Sequence, residues 1–227
     1  FRVLGELRYL IPLMRYEFPS PDDNASLAHS FEETVTKFGS NNFIYFENEK
    51  WTYNQTNKAA NALANKLIDD GVVHGDRVVL FMENRPNYII SILALNKIGA
   101  IGVLINTSLT GNPLIHCINS SDSNKCIVGA ELASSLEEVL GDINVKNKSD
   151  IYWVKDGSNY ECPQWASNLD TLIDTSKTNN LSLTSKVTAK DTAFYIFTSG
   201  TTGVPKAALF PNAKIIAASV NISKGGY

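Results

Sequence analysis

Apolar residues follow two different spacings along this chain, and each spacing predicts a different element. Continuous apolar runs at positions 78–82, 101–105 and 151–154 are typical of strands that are buried on both faces of a sheet. Between such runs, apolar residues recur every three or four positions, as they do over 56–68, and this period predicts helices. Strands that alternate with helices predict an α/β fold in which a parallel sheet is flanked by helices.

Local signals set the ends of several predicted elements. Pro86 can open a helix, and Gly71 and Gly99 stand where helices would end, since glycine accepts the left-handed conformation that closes many helices. Two short runs, 43–46 and 51–53, predict a β-hairpin. The other predicted elements are strands 126–128, 193–197 and 207–210, and helices 86–99, 113–119, 131–140 and 215–222.

Residues 155–192 break this alternation. Serine, threonine, asparagine and aspartate dominate there, and no helix or strand period recurs. Such a composition predicts a long surface connection, or a poorly formed excursion, between the strands at 151–154 and 193–197.

Composition and charge narrow the classes of protein. The chain has 227 residues, of which 44% are hydrophobic and 19% charged, as in ordinary globular proteins. The net charge is −3 and no basic run of five or more occurs, so nothing favours a nucleic acid partner. Cys117, Cys126 and Cys162 lack metal-ligand spacing and are odd in number, which argues against a disulfide framework and favours a reducing compartment. The three histidines are isolated and are interpreted as structural residues.

The first 18 residues have a character of their own. They mix apolar side chains with three arginines, and Pro12 argues against one continuous helix. Two alternatives stay open: the segment lies on a membrane surface, or it packs onto the protein's own body. The sequence contains no run of about 18 uninterrupted apolar residues, so it predicts no transmembrane helix. The chain begins at Phe1 and stops at Tyr227, which suggests a cut at both ends.

Residues 195–206 carry the clearest indication of chemistry. The strand predicted at 193–197 runs directly into hydroxyl side chains and two glycines, and Lys206 follows at the exit. Glycines let successive N–H groups point into one concavity where a phosphate can bind, and a lysine adds a point charge. The usual nucleoside-triphosphate loop needs four residues between its glycines, whereas Gly200 and Gly203 are separated by two. A Ser/Thr/Gly-rich hairpin loop without a ligand is the alternative.

The ordered run Thr-Ser-Gly-Thr-Thr-Gly-Val-Pro-Lys at 198–206 resembles the signature of the adenylate-forming enzymes, which include the acyl-CoA synthetases. Segments upstream of it match that family in order and spacing, so that the resemblance covers roughly residues 40–227. Residues 104–109 and 114–118 look most like the fatty acid transport proteins and very-long-chain acyl-CoA synthetases. The other matching segments are Trp51-Thr52-Tyr53, Gly75-Asp76-Arg77-Val78, Asn84-Arg85-Pro86 and Lys97-Ile98-Gly99-Ala100.

This resemblance implies a fold, a domain division and a reaction. The fold would be parallel β-sheets flanked by helices, as in the N-terminal domain of acyl-CoA synthetases. Residues 1–40 would be an N-terminal segment, and 41–227 part of the large adenylation domain. The reaction would be ATP-dependent activation of a long-chain fatty acid: its carboxylate attacks the α-phosphate, and CoA then displaces AMP from the acyl-adenylate. Such a fatty acid–CoA ligase would lie on the cytoplasmic side, with peripheral membrane contact as one option.

The resemblance also implies roles for site residues. Backbone N–H groups and hydroxyls of the loop would hold the β- and γ-phosphates of ATP. Thr201 would be the hydroxyl that reaches Mg²⁺ and Lys206 would neutralise phosphate charge, so these two are the candidate catalytic residues. The candidate nucleotide-binding residues are Thr198, Ser199, Gly200, Thr201, Thr202, Gly203 and Lys206.

The chain departs from the family pattern at two positions. Thr110 stands where the subfamily commonly has arginine, and Asn212 where a histidine often follows the loop. The family's adenine-binding segment, its acidic residues for Mg²⁺ and ribose, and its C-terminal catalytic lysine would all lie beyond Tyr227. This chain alone is therefore expected to be inactive. The alternatives are a ligase for another carboxylate, such as an aryl or short-chain acid, and a fatty acid uptake protein.

Overall fold

The computed structural model of the protein describes residues 18–145, 147–158, 160–175, 177–198 and 205–224. Its strands are β1 (Asn42–Phe46), β2 (Glu49–Thr52), β3 (Arg77–Phe81), β4 (Ile101–Leu104), β5 (Lys125–Gly129), β6 (Ile151–Val154), β7 (Ser167–Asn168), β8 (Thr192–Thr198) and β9 (Lys206–Pro211). Its α-helices are α1 (Leu27–Phe38), α2 (Tyr53–Asp69), α3 (Pro86–Ile98), α4 (Gly111–Ser120), α5 (Ala133–Glu137), α6 (Leu169–Leu172) and α7 (Asn212–Lys224). Single turns of 3₁₀ helix lie at Ala130–Leu132, Lys148–Asp150 and Ser182–Lys186.

One large sheet organises the described residues. Its strands follow the order β7-β6-β5-β3-β4-β8-β9, while β1 and β2 form a separate antiparallel hairpin. Neighbouring strands of the large sheet run parallel, except that β8 and β9 are antiparallel. The predicted α/β fold with a helix-flanked parallel sheet is confirmed.

Each face of the sheet has its own apolar core. Helices α2 and α3 cover the first core, and α4 and α5 cover the second. Along β3, Val78 and Leu80 belong to the first core, whereas Val79 and Phe81 belong to the second. Because successive side chains of a strand point to opposite faces, this strand is buried at both faces, and its apolar run has no polar interruption.

The predicted helix ends agree with the structure. Helix α3 begins at Pro86 and is closed by Gly99, whose φ of 78° is left-handed. Gly71 follows the end of α2 with a φ of 86°. At the start of α2, Thr52 and Gln55 form a capping box, in which each side chain bonds the other residue's backbone N–H. Such caps satisfy N–H and C=O groups that a helix end leaves unpaired.

Helix α1 lies against the body of the protein. Phe31 belongs to the first core, and its ring centroid lies 5.0 Å from that of Phe43 in the small hairpin and 5.7 Å from that of Tyr53. Aromatic pairs at these distances add to the stability that burial provides. Within the predicted N-terminal segment, this helix therefore packs on the domain, while residues 1–17 lie outside the described residues.

The predictions for two segments were partly wrong. Residues 155–192 form a long surface connection, as one alternative predicted, since most of the described residues there are exposed or half-buried. They are not a poorly formed excursion, because β7 extends the sheet there and Leu169, Val187 and Ala189 are buried. Their buried residues are isolated in the sequence and so leave no period. The predicted helix at 131–140 shrinks to the five residues of α5, preceded by a 3₁₀ turn. Val139 is still buried in the turns after α5. The apolar spacing therefore predicted which residues are buried, but not where the helical hydrogen bonds end.

Asp70 ties the end of α2 to the sheet. Its carboxylate accepts hydrogen bonds from Lys66 Nζ at 2.7 Å and from the hydroxyl of Tyr152, on β6, at 2.5 Å. Burial alone would raise the pKa of Asp70, but the hydrogen bonds from Lys66 and Tyr152 outweigh it and hold the pKa below its usual value. The folded protein therefore favours the ionised form of Asp70.

Asp70→Asn is expected to lower the unfolding free energy of the intact protein by about 1–3 kcal/mol at pH 7. A carboxyl whose pKa is lowered by folding stabilises the protein above its unfolded pKa of about 3.9, and this contribution is lost as pH falls through the folded pKa. Urea titrations at pH 7 and pH 3 should thus show a deficit that shrinks in acid. Asp69→Asn is the control, because that carboxylate is exposed and paired with exposed Lys177. An equal loss in both variants would contradict the assignment.

Candidate active site

The structure brings Thr198 and Lys206 together at the tip of one hairpin. In the β8–β9 ladder Thr198 lies directly opposite Lys206, and the register continues to Thr192 opposite Pro211. Residues directly opposite in an antiparallel pair project to the same face. Both side chains are exposed, so a hydroxyl and an ammonium stand side by side at the two ends of the loop.

The remaining candidate residues lie outside the described residues. They are Ser199, Gly200, Thr201, Thr202 and Gly203. Their contacts with phosphate, and the contact of Thr201 with Mg²⁺, stay predictions. The described chain resumes at Pro205, immediately before Lys206.

The hairpin tip projects past the carboxyl end of the parallel sheet. β4 pairs with β8 from Gly102 opposite Phe194 to Leu104 opposite Ile196, two residues before Thr198. Open parallel sheets bind ligands at this edge, outside the carboxyl ends of their strands. The two described ends of the loop, Thr198 and Lys206, therefore lie where the fold favours a ligand. On the inner side, Tyr195 and Phe197 pack against the second core.

A second crevice at the same edge is filled by the protein's own side chains. It lies between β3 and β5, whose following helices cover opposite faces of the sheet, and such a switch in direction opens a gap. Glu131 occupies it: its Oε1 accepts from the backbone N–H of Glu83 at 2.7 Å, and its Oε2 lies 3.1 Å from Arg85 Nη1. Arg85 Nη2 also donates to Val154 O at 3.1 Å. The β8–β9 tip is consequently the better candidate for the nucleotide.

Asn212 holds the base of the hairpin. It is fully buried, and its Oδ1 accepts from Asn96 Nδ2 at 3.0 Å and from the backbone N–H of Leu27 at 3.2 Å. Its Nδ2 donates to the carbonyls of Thr188 and Asp191, both at 3.2 Å. The residue that departs from the family pattern, Asn212, therefore connects α1 and α3 to the hairpin. Sequence spacing had no signal for this network.

The histidines have separate partners. Nε2 of His29 lies 3.6 Å from Oε1 of Glu33, and Nε2 of His74 lies 3.1 Å from Oδ2 of Asp191. His116 lies beside the hairpin, with Nε2 at 3.0 Å from the carbonyl oxygen of Pro205. Among the described residues no group of three or more His, Cys, Asp or Glu side chains could hold a metal ion.

The thiols are poorly suited to nucleophilic chemistry. Cys117 and Cys126 are free and fully buried. Burial raises the pKa of Cys117 to about 11 and that of Cys126 to about 12. Since the thiolate is the reactive form, neither residue supplies a nucleophile at neutral pH.

Comparison with known proteins identifies the family. A model of the AMP-binding enzyme family matches residues 31–226, which is most of the chain. The chain therefore belongs to this family.

Curated relatives narrow the likeness further. The chain is 33% identical over 189 residues to the medium/long-chain-fatty-acid–CoA ligase FadD6 of Mycobacterium tuberculosis, covering 83% of this chain and 30% of that protein. It is 31% identical over 183 residues to long-chain fatty acid transport protein 6 of Mus musculus, covering 79% of this chain and 29% of that protein. The chain thus spans about 30% of the length of these relatives.

Solved structures support the fold. An anthranilate CoA ligase, AuaEII, in complex with anthranoyl-AMP aligns with a TM-score of 0.71 at 20% identity, over 87% of this chain and 36% of that one. A fatty acyl CoA synthetase of Mycobacterium tuberculosis aligns with a TM-score of 0.66 at 22% identity, over 82% of this chain and 34% of that one. In the part of the chain that the structure describes, no helix is both long and apolar enough to cross a bilayer.

Proposed function

We propose that the intact protein activates a long-chain fatty acid to its CoA thioester through an acyl-adenylate. The observation that carries this proposal is the hairpin tip at the carboxyl edge of the sheet, where Thr198 stands opposite Lys206, in a chain of the AMP-binding enzyme family. Relatives named as fatty acid–CoA ligases and fatty acid transport proteins support the choice of substrate.

The proposed reaction has two steps. A carboxylate oxygen of the fatty acid attacks the α-phosphorus of ATP, the bond between the α-phosphorus and the bridging oxygen breaks, and pyrophosphate leaves. The thiol of CoA then attacks the acyl carbonyl, AMP leaves, and the thiol proton passes to solvent. Negative charge grows on the leaving pyrophosphate in the first step, so donors and cations placed beforehand lower the barrier.

Residues of this chain are assigned the role of stabilising that negative charge. Lys206 would place its ammonium against the β- and γ-phosphates, and the hydroxyls of Thr198 and Thr201 would donate to phosphate oxygens. Mg²⁺ prefers oxygen ligands and is often bound through substrate phosphates with one or two protein groups. The Thr201 hydroxyl and the phosphates of ATP would be ligands of this kind. The described residues hold no cluster of acidic side chains that would bind the ion without ATP.

The domain division and location form part of this proposal. Residues 41–227 are assigned to the adenylation domain. Residues 1–17 carry apolar and arginine side chains but lie outside the described residues, so their contact with the body of the protein or with a membrane surface stays a prediction. The proposed N-terminal segment as a whole spans residues 1–40. The proposed location is the cytoplasmic side, with fatty acid, ATP and CoA as partners.

A fatty acid uptake function without catalysis is the second candidate. The name of the mouse relative, a long-chain fatty acid transport protein, favours it. Uptake and thioesterification separate experimentally, because only the second consumes ATP.

The proposal predicts pyrophosphate release that depends on ATP and a long-chain fatty acid. The intact protein would be assayed with ATP, CoA and a panel of acids from acetate to long-chain saturated acids, with benzoate as an aryl acid. Release should be strongest with the long chains. If benzoate or acetate is preferred, the ligase stands with another substrate, and if no acid supports release, the proposed reaction is wrong.

A further inference from the structure

One hydrogen bond joins the body of the protein to the hairpin at the residue that precedes β9. Nε2 of His116 lies 3.0 Å from the carbonyl oxygen of Pro205, and Pro205 directly precedes Lys206. A carbonyl oxygen only accepts hydrogen bonds, so Nε2 carries the hydrogen in this contact. The bond joins residues that are 89 positions apart in the chain.

His116 has a rigid support. It lies on α4, where Leu114, Cys117 and Ile118 are fully buried in the second core. These neighbours fix the helix against the sheet, and a side chain on a well-packed helix is held more precisely than one on a loop. The imidazole is half-buried and bridges from this helix to the hairpin.

The tip needs such a bridge because the parallel strand β4 does not extend to it. The pairing between β4 and β8 ends at Ile196, and β9 has β8 as its neighbour in the sheet order. Lys206 therefore depends on β8 and on whatever holds Pro205. Pro205 itself has no backbone N–H to donate, so its carbonyl is the backbone group through which it can be held.

We propose that His116 is a positioning residue for the nucleotide site: it fixes the Pro205 carbonyl and thereby fixes Lys206 against the phosphates of ATP. This inference rests on the proposed function. His116 contacts no reacting atom in this assignment and acts through Pro205. Its effect on catalysis follows because the rate depends on how accurately a group that contacts the substrate is positioned.

The kinetic test uses the intact protein with His116→Ala, His116→Gln and His116→Asn. Glutamine places an N–H near the position of Nε2, whereas asparagine is too short to reach Pro205. Alanine and asparagine should raise the KM for ATP or lower kcat/KM for ATP roughly 3- to 10-fold, as expected for one lost hydrogen bond. The KM for fatty acid should stay unchanged, and glutamine should restore most of the loss. His29→Ala is the control, since His29 pairs with Glu33 on α1.

A second measurement does not depend on catalysis. Hydrogen exchange of peptides covering 205–211, in the protein without nucleotide, should be faster in His116→Ala than in wild type and near wild type in His116→Gln. Unchanged exchange in His116→Ala would show that no such anchor exists. Faster exchange with unchanged ATP kinetics would show an anchor without a positioning role, which also overturns the inference.

The two proposals fail in different ways. If wild type releases pyrophosphate and His116→Ala has wild-type parameters for ATP, the inference is wrong and the function stands. If wild type releases no pyrophosphate with any acid, the proposed function is wrong. In that case equilibrium binding of ATP to wild type and His116→Ala, together with the exchange rates, decides the inference: weaker binding by the variant supports it and equal binding refutes it.

Discussion

Glu32→Gln is expected to lower the unfolding free energy by about 3–5 kcal/mol, because it leaves a buried ammonium without its counter-ion. Lys97 on α3 has a fully buried side chain, and its Nζ donates to Oε1 of Glu32 on α1, which is itself mostly buried. Thr184 Oγ1 donates to the same oxygen at 3.3 Å. Burial lowers the pKa of Lys97, and the hydrogen bond and charge of Glu32 only partly oppose this.

The sign of the pH dependence follows from that lowered pKa. The unfolded chain holds the Lys97 proton up to about pH 10.4, while the folded protein releases it at a lower pH. Stability gained through Lys97 therefore increases as pH rises between these two values. Without Glu32 the pKa of Lys97 should fall further, so the deficit of Glu32→Gln should shrink as pH is raised from 7 towards the unfolded pKa of about 10.4.

Denaturant titrations of the intact protein check this expectation against a neighbouring control. Glu33→Gln removes the adjacent carboxylate, which is largely exposed and lies 3.6 Å from His29, and exposed pairs contribute only about 0–1 kcal/mol. Adding Lys97→Met to Glu32→Gln should recover much of the loss, since it removes the unpaired charge. If Glu32→Gln were no more harmful than Glu33→Gln, the ion pair would not stabilise this packing.

The sequence predicted those parts of the fold that local signals define. The strand at 151–154 is apolar at every position because both of its faces are buried. Helix α3 was bounded correctly because Pro86 and Gly99 act on the backbone next to them. By contrast, β7 has two residues, too few for a period, and it forms only because β6 offers hydrogen-bonding groups at the sheet edge.

Partners distant in the chain account for what the sequence did not predict. Lys97 lies in a mostly apolar helix, and its partner Glu32 is 65 residues away. Asn212 departs from the family pattern, and its bonds to Leu27 and Asn96 form only where three elements meet. The bond between His116 and Pro205 likewise joins residues that are 89 positions apart. The hydroxyls, glycines and lysine of the loop were recognisable because their chemistry lies within nine consecutive residues.

The second large effect is expected at Lys206. In the intact protein, Lys206→Ala should lower kcat/KM for fatty-acid-dependent pyrophosphate release by about 10²- to 10³-fold, the usual cost of removing one group that stabilises developing charge. Lys206 is exposed at the loop end and faces the same side as Thr198, so its ammonium is free to approach phosphate. Lys206→Arg keeps the charge but changes the shape of the donor and should lose less.

Lys214→Ala is the matched control for Lys206→Ala, because Lys214 is also exposed and its Nζ lies 4.1 Å from the ring centroid of Phe210 on the same hairpin. This variant should keep pyrophosphate release within about twofold of wild type, as a surface cation–π contact is worth only about 0.5–1 kcal/mol. Equal activity of Lys206→Ala and Lys214→Ala would remove Lys206 from the site.

Fatty acid import by cells separates ligation from uptake without catalysis. Import that persists in Lys206→Ala after pyrophosphate release is lost favours uptake without catalysis, whereas loss of both means that thioesterification drives import.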